Sequence, residues 1–274
     1  MKTIVAAVSG GVDSVTMLDL LAKEHKGIVV AHFNHGIRED ADEDERLTKC
    51  LAQEYSFKFE SERGCLGPGT SETYARTRRY EFLFRIAQKH GGVIHTAHHA
   101  DDVVETVALN LLRGTGWRGL VPLDDARMVR PLVNWWKTDI YNYATKNCLE
   151  WHEDSTNSQD HYLRNRVRRA LQELTLQDKR RIFDLYKQQK VIKTQTDLIV
   201  SELCNIRSRE FFKCADDDVA LEVLRAICYR PGITPLKANL VMALNAIRAF
   251  KNGKKFELSK HITLKIGRDN FELM

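Results

Sequence analysis

Short, nearly continuous apolar runs alternate with helix-length amphipathic segments over the first half of the chain, and this alternation restricts the fold more than any other feature. The runs are TIVAAV (3–8), GIVVAHF (27–33), FKFE (57–60) and VIHTAH (93–98). Between and after them lie helical patterns starting at Val15, spanning Asp42 to Tyr55, Ser71 to His90 and Val103 to Leu112. A strand that is apolar on both faces has to be covered on both. The pattern therefore predicts an α/β domain with a doubly wound, Rossmann-like parallel sheet. Gly91-Gly92 is a typical helix stop, and Pro122 and Pro131 bracket a turn-rich stretch before a last helix near Lys137 to Asn147.

The pattern changes from Leu171. Ile182, Leu185, Ile192, Ile199 and Leu203 recur at helical steps, and Thr175-x-x-Asp178 resembles a capping box, which predicts one long helix. Two helical segments follow (Val219 to Cys228, Lys237 to Phe250). The ending KKFELSKHITLKIGRDNFEL alternates by twos with turn residues between, as in a small α+β module. The 274 residues thus divide into a domain over 1–170, a helical linker over 171–205 and a small module over 206–274.

An apolar fraction of 43% and a charged fraction of 29% suit a soluble protein, and no apolar run approaches the ~20 residues of a membrane helix. MKTIVAAVSGG is too short in its apolar part for a secretory signal, so it is expected to be the first strand of a cytoplasmic protein. The six cysteines (50, 65, 148, 204, 214 and 228) form no C-x-x-C pair, which argues against a zinc ribbon or a redox dithiol. From Asp160 onward there are 23 Lys+Arg against 14 Asp+Glu, whereas the preceding part carries 19 against 23. That asymmetry points to a polyanionic partner for the second half.

Ser9, Gly10, Gly11, Val12, Asp13 and Ser14 stand between the first strand and the first helix, where open α/β sheets place ligands. Glycines let the backbone approach a phosphate, the helix start offers N–H groups, and the hydroxyls add donors. The stretch therefore reads as an anion cradle. It lacks the Walker pattern, so nothing marks it for γ-phosphate transfer. Asp13 in this place suits a Mg2+ ion bridging triphosphate oxygens, and with it release of pyrophosphate and transfer of AMP. GTGWRG (114–119) matches G-x-G-x-x-G literally, but a helix precedes it where the dinucleotide fingerprint needs a strand.

Two further segments follow strands. HFNHGIRED (32–40) puts His32, Asn34, His35 and Arg38 on the expected ligand edge. AHHADDVVET (97–106) places Asp102 and Glu105 three apart on one helix face, a two-carboxylate pocket suited to an ammonium group. Alternatives stay open. Asp101 or Asp102 is also a natural N-cap, and His98, His99 and the aspartates form a conceivable metal set, although adjacent histidines on extended backbone point apart.

SGGVDS is the signature of the PP-loop ATP pyrophosphatases, and the chain resembles them. Taken together with HFNHGIR, ETYARTRRY (72–80), HHADDVVET, LLRGTGWRGL (111–120), RPL (130–132), EDSTN (153–157) and RNRVR (164–168), it is similar in motif order and spacing to the tRNA(Ile)-lysidine synthetase family over residues 3–170. The resemblance implies that ATP adenylates the C2 oxygen of cytidine 34 in a tRNA(Ile) with anticodon CAU, and that free L-lysine then displaces AMP to give lysidine.

It also implies that Ser9, Gly10, Gly11, Val12, Asp13 and Ser14, with His32, Asn34, Arg113 and Gly114, bind ATP and Mg2+. Asp102 and Glu105 would receive lysine and help deprotonate its amine. His98 is a candidate for orientation or proton transfer, and Arg79, Arg113 and Arg166 for neutralising phosphates or developing charge; a surface ion pair or an RNA phosphate contact is the other reading of each arginine. Lys137, Tyr143 and Trp151 read as core or rim residues, and Trp135-Trp136 as packing more than base stacking. The family match is loose after about residue 205, so tRNA binding by the C-terminal module rests mainly on its basic charge. The oligomeric state stays open, a homodimer being one option. A PP-loop tRNA thiolase and a non-catalytic RNA-binding protein are the competing readings. The first is disfavoured because no cysteine falls in the motifs discussed, the second because the costly acidic cluster is intact.

Overall fold

The computed structural model describes residues 2–36, 41–64, 70–153, 163–229, 236–259 and 262–274, with residues 72 and 163–165 given by backbone only. The chain forms two compact units, residues 1–189 and 190–274.

In the first unit, β1 (Thr3–Ala7), β2 (Ile28–Asn34), β3 (Lys58–Arg63), β4 (Gly92–His95) and β5 (Met128–Val129) make one sheet in the order β3-β2-β1-β4-β5. Every adjacent pair is parallel. Helices α1 (Val12–Glu24), α2 (Ala41–Glu54), α3 (Glu72–His90), α4 (Ala100–Leu112), α5 (Lys137–Lys146), α6 (Leu163–Gln172) and the start of α7 (Leu176–Glu202) complete it. The continuous apolar character of β1 and β2 has a direct cause. Successive strand residues point to opposite faces. Ile4, Ala6, Val8, Ile28 and Val30 enter one core layer with Met17 and Leu18 of α1, Leu51 of α2 and Ile140 of α5. Val5, Val29, Ala31 and Phe33 enter the other, against Phe82, Leu83 and Ile86 of α3. Phe82 is fully buried, and truncating it to alanine is expected to cost about 3–5 kcal/mol.

The helix boundaries follow local chemistry. Ser71 caps α3 by accepting the Tyr74 N–H at 3.2 Å, and Gly91 ends it at φ 57°. The chain breaks between α6 and α7, where the Thr175 hydroxyl caps α7 by accepting the Asp178 N–H at 3.2 Å and itself donates to Asp178 Oδ2 at 2.6 Å. The long helix expected in this stretch is α7, which starts at that cap, but its apolar stripe sits elsewhere. Leu185, Ile192 and Ile199 are exposed, while Phe183, Tyr186 and Val200 are buried, the two aromatics carrying the larger apolar area.

In the second unit, α8 (Arg209–Cys214), α9 (Asp217–Cys228) and α10 (Lys237–Ala249) pack on an antiparallel sheet β6 (Lys255–Ser259), β7 (Ile262–Ile266), β8 (Phe271–Leu273). Phe212, Leu224, Leu240, Ile247, Leu264 and Phe271 form its core. The alternation read in the terminal segment matches β7, whose residues alternate between buried and less buried. No helix among the described residues is long and apolar enough to cross a membrane. The described cysteines are free.

Candidate active site

Strand order locates the site. The chain leaves β1 toward β2 on one side, while β4 lies on the other, so the loops after β1 and β4 diverge and open a crevice at the carboxyl ends of these strands. The first loop is 8–11 and the second 96–99.

The first loop is tightly organised. Gly10 adopts φ 93°, which a side chain rarely tolerates, and a Cβ there would come within 3.3 Å of Asp44 Oδ1. Gly11 is the N-cap of α1. The Ser14 hydroxyl donates to Gly11 O at 2.9 Å and accepts the Ser9 N–H at 3.1 Å, with Ser9 Oγ 3.2 Å away. One buried hydroxyl thereby fixes the turn. Ser14 N and Val15 N bond to Gly11 O, at 3.0 and 3.1 Å, which leaves the N–H groups at the very start of α1 as the donors a helix N-terminus offers an anion.

Asp13 lies in the first turn of α1, half-buried, and Lys137 at the start of α5 donates to both its oxygens at 2.7 and 2.9 Å. The second loop and α4 meet this pair. Buried His99, the N-cap of α4, places Nε2 3.8 Å from Asp13 and 3.5 Å from Asp102, with Nδ1 3.7 Å from Asp101. Asp102 accepts the His99 N–H at 2.9 Å. Burial raises the Asp102 carboxyl above its ordinary value; the charge and N–H of His99 oppose this, and Asp13 and Glu105 add to it. The expected pair of Asp102 and Glu105 is present on one face, but Glu105 is 4% exposed and receives the Arg168 Nε at 3.0 Å from α6. Asp102 is therefore the more available of the two to an incoming amine. His98 lies in the same loop with Nδ1 2.9 Å from the Thr96 hydroxyl.

Several expected site residues lie elsewhere. His32 is 3% exposed, its Nδ1 2.9 Å from Val8 O; it braces the end of β1 beneath the loop. Burial lowers its pKa, so it is neutral there. Asn34 is spent within the chain: its amide donates to Asp42 and Glu45, both at 3.0 Å, and its oxygen accepts the Gly36 N–H at 2.9 Å. Both support the ligand edge, because their polar atoms face inward. Gly114 is the left-handed residue closing α4, with Thr115 N to Asn110 O 3.1 Å and Gly114 N to Leu111 O 3.0 Å, the paired bonds of a Schellman stop. Arg113 is the exposed C-cap of the same helix, eleven residues and about 16 Å of helix beyond Asp102. The helix thus separates Arg113 and Gly114 from the loop at Asp13. Arg79 lies on α3, 5.4 Å from the Tyr80 ring. Arg166 is exposed on α6, two residues before Arg168.

Sequence reading missed Lys137 and Arg168 as site residues, and weighed His99 and Asp101 only as parts of a metal set or a cap. Only the motif RNRVR carried a signal for Arg168. Trp135 and Trp136 pack edge-on against Tyr143 and Phe183, as expected of packing residues. Tyr143 belongs to the α1–α5 contact. With Tyr55 it donates to Asp19, at 2.6 and 2.8 Å; burial acts to raise the Asp19 carboxyl, but bonds from Tyr143, Lys23 and Tyr55 hold it below its ordinary value. Among the described residues no group of three or more His, Cys, Asp or Glu is arranged to hold a metal ion. Arg38, Cys65 and residues 154–157 of EDSTN lie outside the described residues.

The PP-loop domain model matches residues 1–175. The chain belongs to the PP-loop family. A PP-loop domain implies ATP binding. The chain is 37% identical to a tRNA(Ile)-lysidine synthase of Enterococcus faecalis over 196 residues, covering 67% of this chain and 42% of that protein. It is 35% identical to one from Streptococcus sanguinis (61% and 40% covered) and 28% identical to one from Pseudothermotoga lettingae (98% and 65% covered). The chain thus spans less than half the length of the first two and about two thirds of the third. The solved structure of the U34-tRNA thiolase NcsA from Methanococcus maripaludis, with its [4Fe-4S] cluster, shares the PP-loop fold at TM-score 0.59 and 17% identity, over 70% of this chain and 72% of that one.

Proposed function

We propose that this PP-loop protein ligates L-lysine to C2 of cytidine 34 in a tRNA(Ile) bearing the anticodon CAU. The cytidine C2 oxygen attacks the α-phosphorus of ATP and pyrophosphate leaves. The lysine ε-amine then attacks C2, and AMP departs with that oxygen. The observation that carries the reading is the convergence of the PP loop and the carboxylate of Asp102 on buried His99, beside the likeness to lysidine synthases.

Each residue has a part in this scheme. Ser9, Gly10, Gly11 and Ser14 shape the phosphate cradle. Asp13 would hold Mg2+ with the nucleotide's own oxygens, the sparse donor set that this ion accepts from proteins, and Mg2+ supplies neutralisation of the triphosphate charge. Asp102 receives the lysine ammonium and takes its proton, since only the neutral amine is nucleophilic; a carboxyl raised by burial is a stronger base than an exposed one. Glu105, neutralised in part by Arg168, sets the charge behind it. Half-buried His98 orients the adenylated base. Arg79, Arg113 and Arg166 serve as phosphate contacts, Arg113 to RNA because of its distance from the loop. The basic residues of the second unit, by their charge, add contacts to RNA phosphates. Free lysine, ATP and tRNA meet in the cytoplasm, where this activity belongs.

Incubation with ATP, Mg2+, labelled lysine and a CAU transcript tests the scheme. Label that survives mild alkali and needs cytidine 34 is the expected result, because an aminoacyl ester would hydrolyse. ATP and tRNA binding without retained label would overturn it.

A further inference from the structure

The least explained carboxylate near the loop is Asp101. Asp102, its neighbour, faces the crevice, whereas Asp101 is turned toward two other helices. Its Oδ2 accepts the backbone N–H of Lys137 at 2.9 Å, and its Oδ1 lies 3.6 Å from the Lys179 ammonium of α7. The Lys137 N–H belongs to the first residue of α5, a donor that the helix itself leaves unsatisfied. Asp101 therefore caps α5 from another helix. A second bond runs alongside, from Ala100 N to Trp135 O at 2.8 Å, so the starts of α4 and α5 are tied twice. The Lys137 side chain departs from this clamped backbone and reaches both oxygens of Asp13.

We infer that Asp101 is a positioning residue for the ATP site, fixing the start of α5 so that the Lys137 ammonium stays against Asp13, with Lys179 extending the tie to α7. The physical consequence is electrostatic. A triphosphate arriving at the loop meets the Asp13 carboxylate, and the adjacent ammonium cancels that repulsion. If Lys137 drifts, the carboxylate is left to oppose the nucleotide until a divalent cation takes over the role. The inference rests on the loop being the ATP site and deepens that reading.

ATP binding by Asp101→Ala, Lys137→Met and the double variant, measured calorimetrically with and without Mg2+, tests it. Each single variant should weaken ATP binding by about tenfold without Mg2+, less with it, and the double variant should be no weaker than Lys137→Met, because one residue acts through the other. Asp101→Asn keeps an oxygen acceptor for the Lys137 N–H at nearly the same volume, and should bind ATP within about twofold of wild type. Losses that add in the double variant would overturn the inference. So would an Asp101→Asn protein as weak as Lys137→Met, an outcome that stands even if Asp101→Ala does not fold. Wild-type protein that binds no ATP would overturn the site assignment itself, and the role of Asp101 with it.

Discussion

The ammonium of Lys137 lies 2.7 and 2.9 Å from the two carboxylate oxygens of Asp13, a residue 124 positions earlier in the chain. This pair joins the start of α5 to the first turn of α1 at the mouth of the crevice. It is only partly buried on both sides, so its contribution to stability is small, below about 1 kcal/mol. Its value lies in placing charge.

Asp13→Asn should accordingly leave the fold intact and remove activity. The amide keeps the shape and a hydrogen-bond acceptor but loses the charge proposed to hold Mg2+. Turnover of ATP should fall by about a hundredfold or more, with the thermal midpoint within ~3 °C of wild type. A variant that loses activity only in proportion to a large drop in stability would assign Asp13 to the scaffold.

Asp102→Asn should separate the proposed lysine use from nucleotide binding. Lysine titration should show the larger loss, with ATP affinity nearly unchanged; equal losses would remove Asp102 from the amine site. Stability should move the other way. Because burial raises the folded-state carboxyl above its unfolded value, the folded chain holds that proton more tightly, and stability falls as pH climbs through the folded value. Removing the charge relieves this cost, so Asp102→Asn should melt higher than wild type at neutral pH.

The parallel sheet was legible in the sequence because β1 and β2 are buried on both faces, and short continuous apolar runs spaced by amphipathic helices suit strands covered on two sides. The turn at 9–14 was legible for a related reason: its glycines, hydroxyls and Asp13 are contiguous, so the whole motif is written in six residues. Lys137 and Asp101 were not. Their significance arises from contacts 124 and 36 residues distant, and no local pattern encodes such a pairing. His32 and Asn34 misled in the opposite sense. They follow a strand at the ligand edge, yet their polar atoms turn inward, to Val8 O and to the start of α2. A strand end shows which edge a residue occupies; which way its side chain turns depends on the neighbours packed there.

Two imidazoles give the fold a pH limit. Burial lowers the pKa of His32 and of His95 below the ordinary 6.5, so between the folded and unfolded values the unfolded chain binds more protons. Stability is full above about 6.5 and is lost as the pH falls below it. Melting curves from pH 8 to pH 5 should show a decline that begins near this value. His95→Gln, at the less buried of the two positions, should reduce its slope without abolishing it. An unchanged slope would place the proton uptake on other groups.

Among the described residues of the second unit, Arg209 is the buried cation. Arg209 is 7% exposed and donates to the carbonyls of Ile247 (2.6 Å), Gly267 (3.0 Å), Arg268 (3.2 Å), Arg248 (3.4 Å) and Phe250 (2.8 Å). Three of these close the C-terminus of α10, whose last carbonyls have no partner within the helix, and two belong to the turn between β7 and β8. Only the planar, five-donor guanidinium can serve both at once. Arg209→Lys keeps the charge but offers three donors from one atom, leaving at least two buried carbonyls unsatisfied. The substitution should destabilise this unit by about 3 kcal/mol, and Arg209→Met by more. Hydrogen exchange resolves the effect by region: protection should fall in α10 and β7 while β1 and β2 keep theirs. Equal loss of protection in β1 and β2 would show that the two units unfold as one.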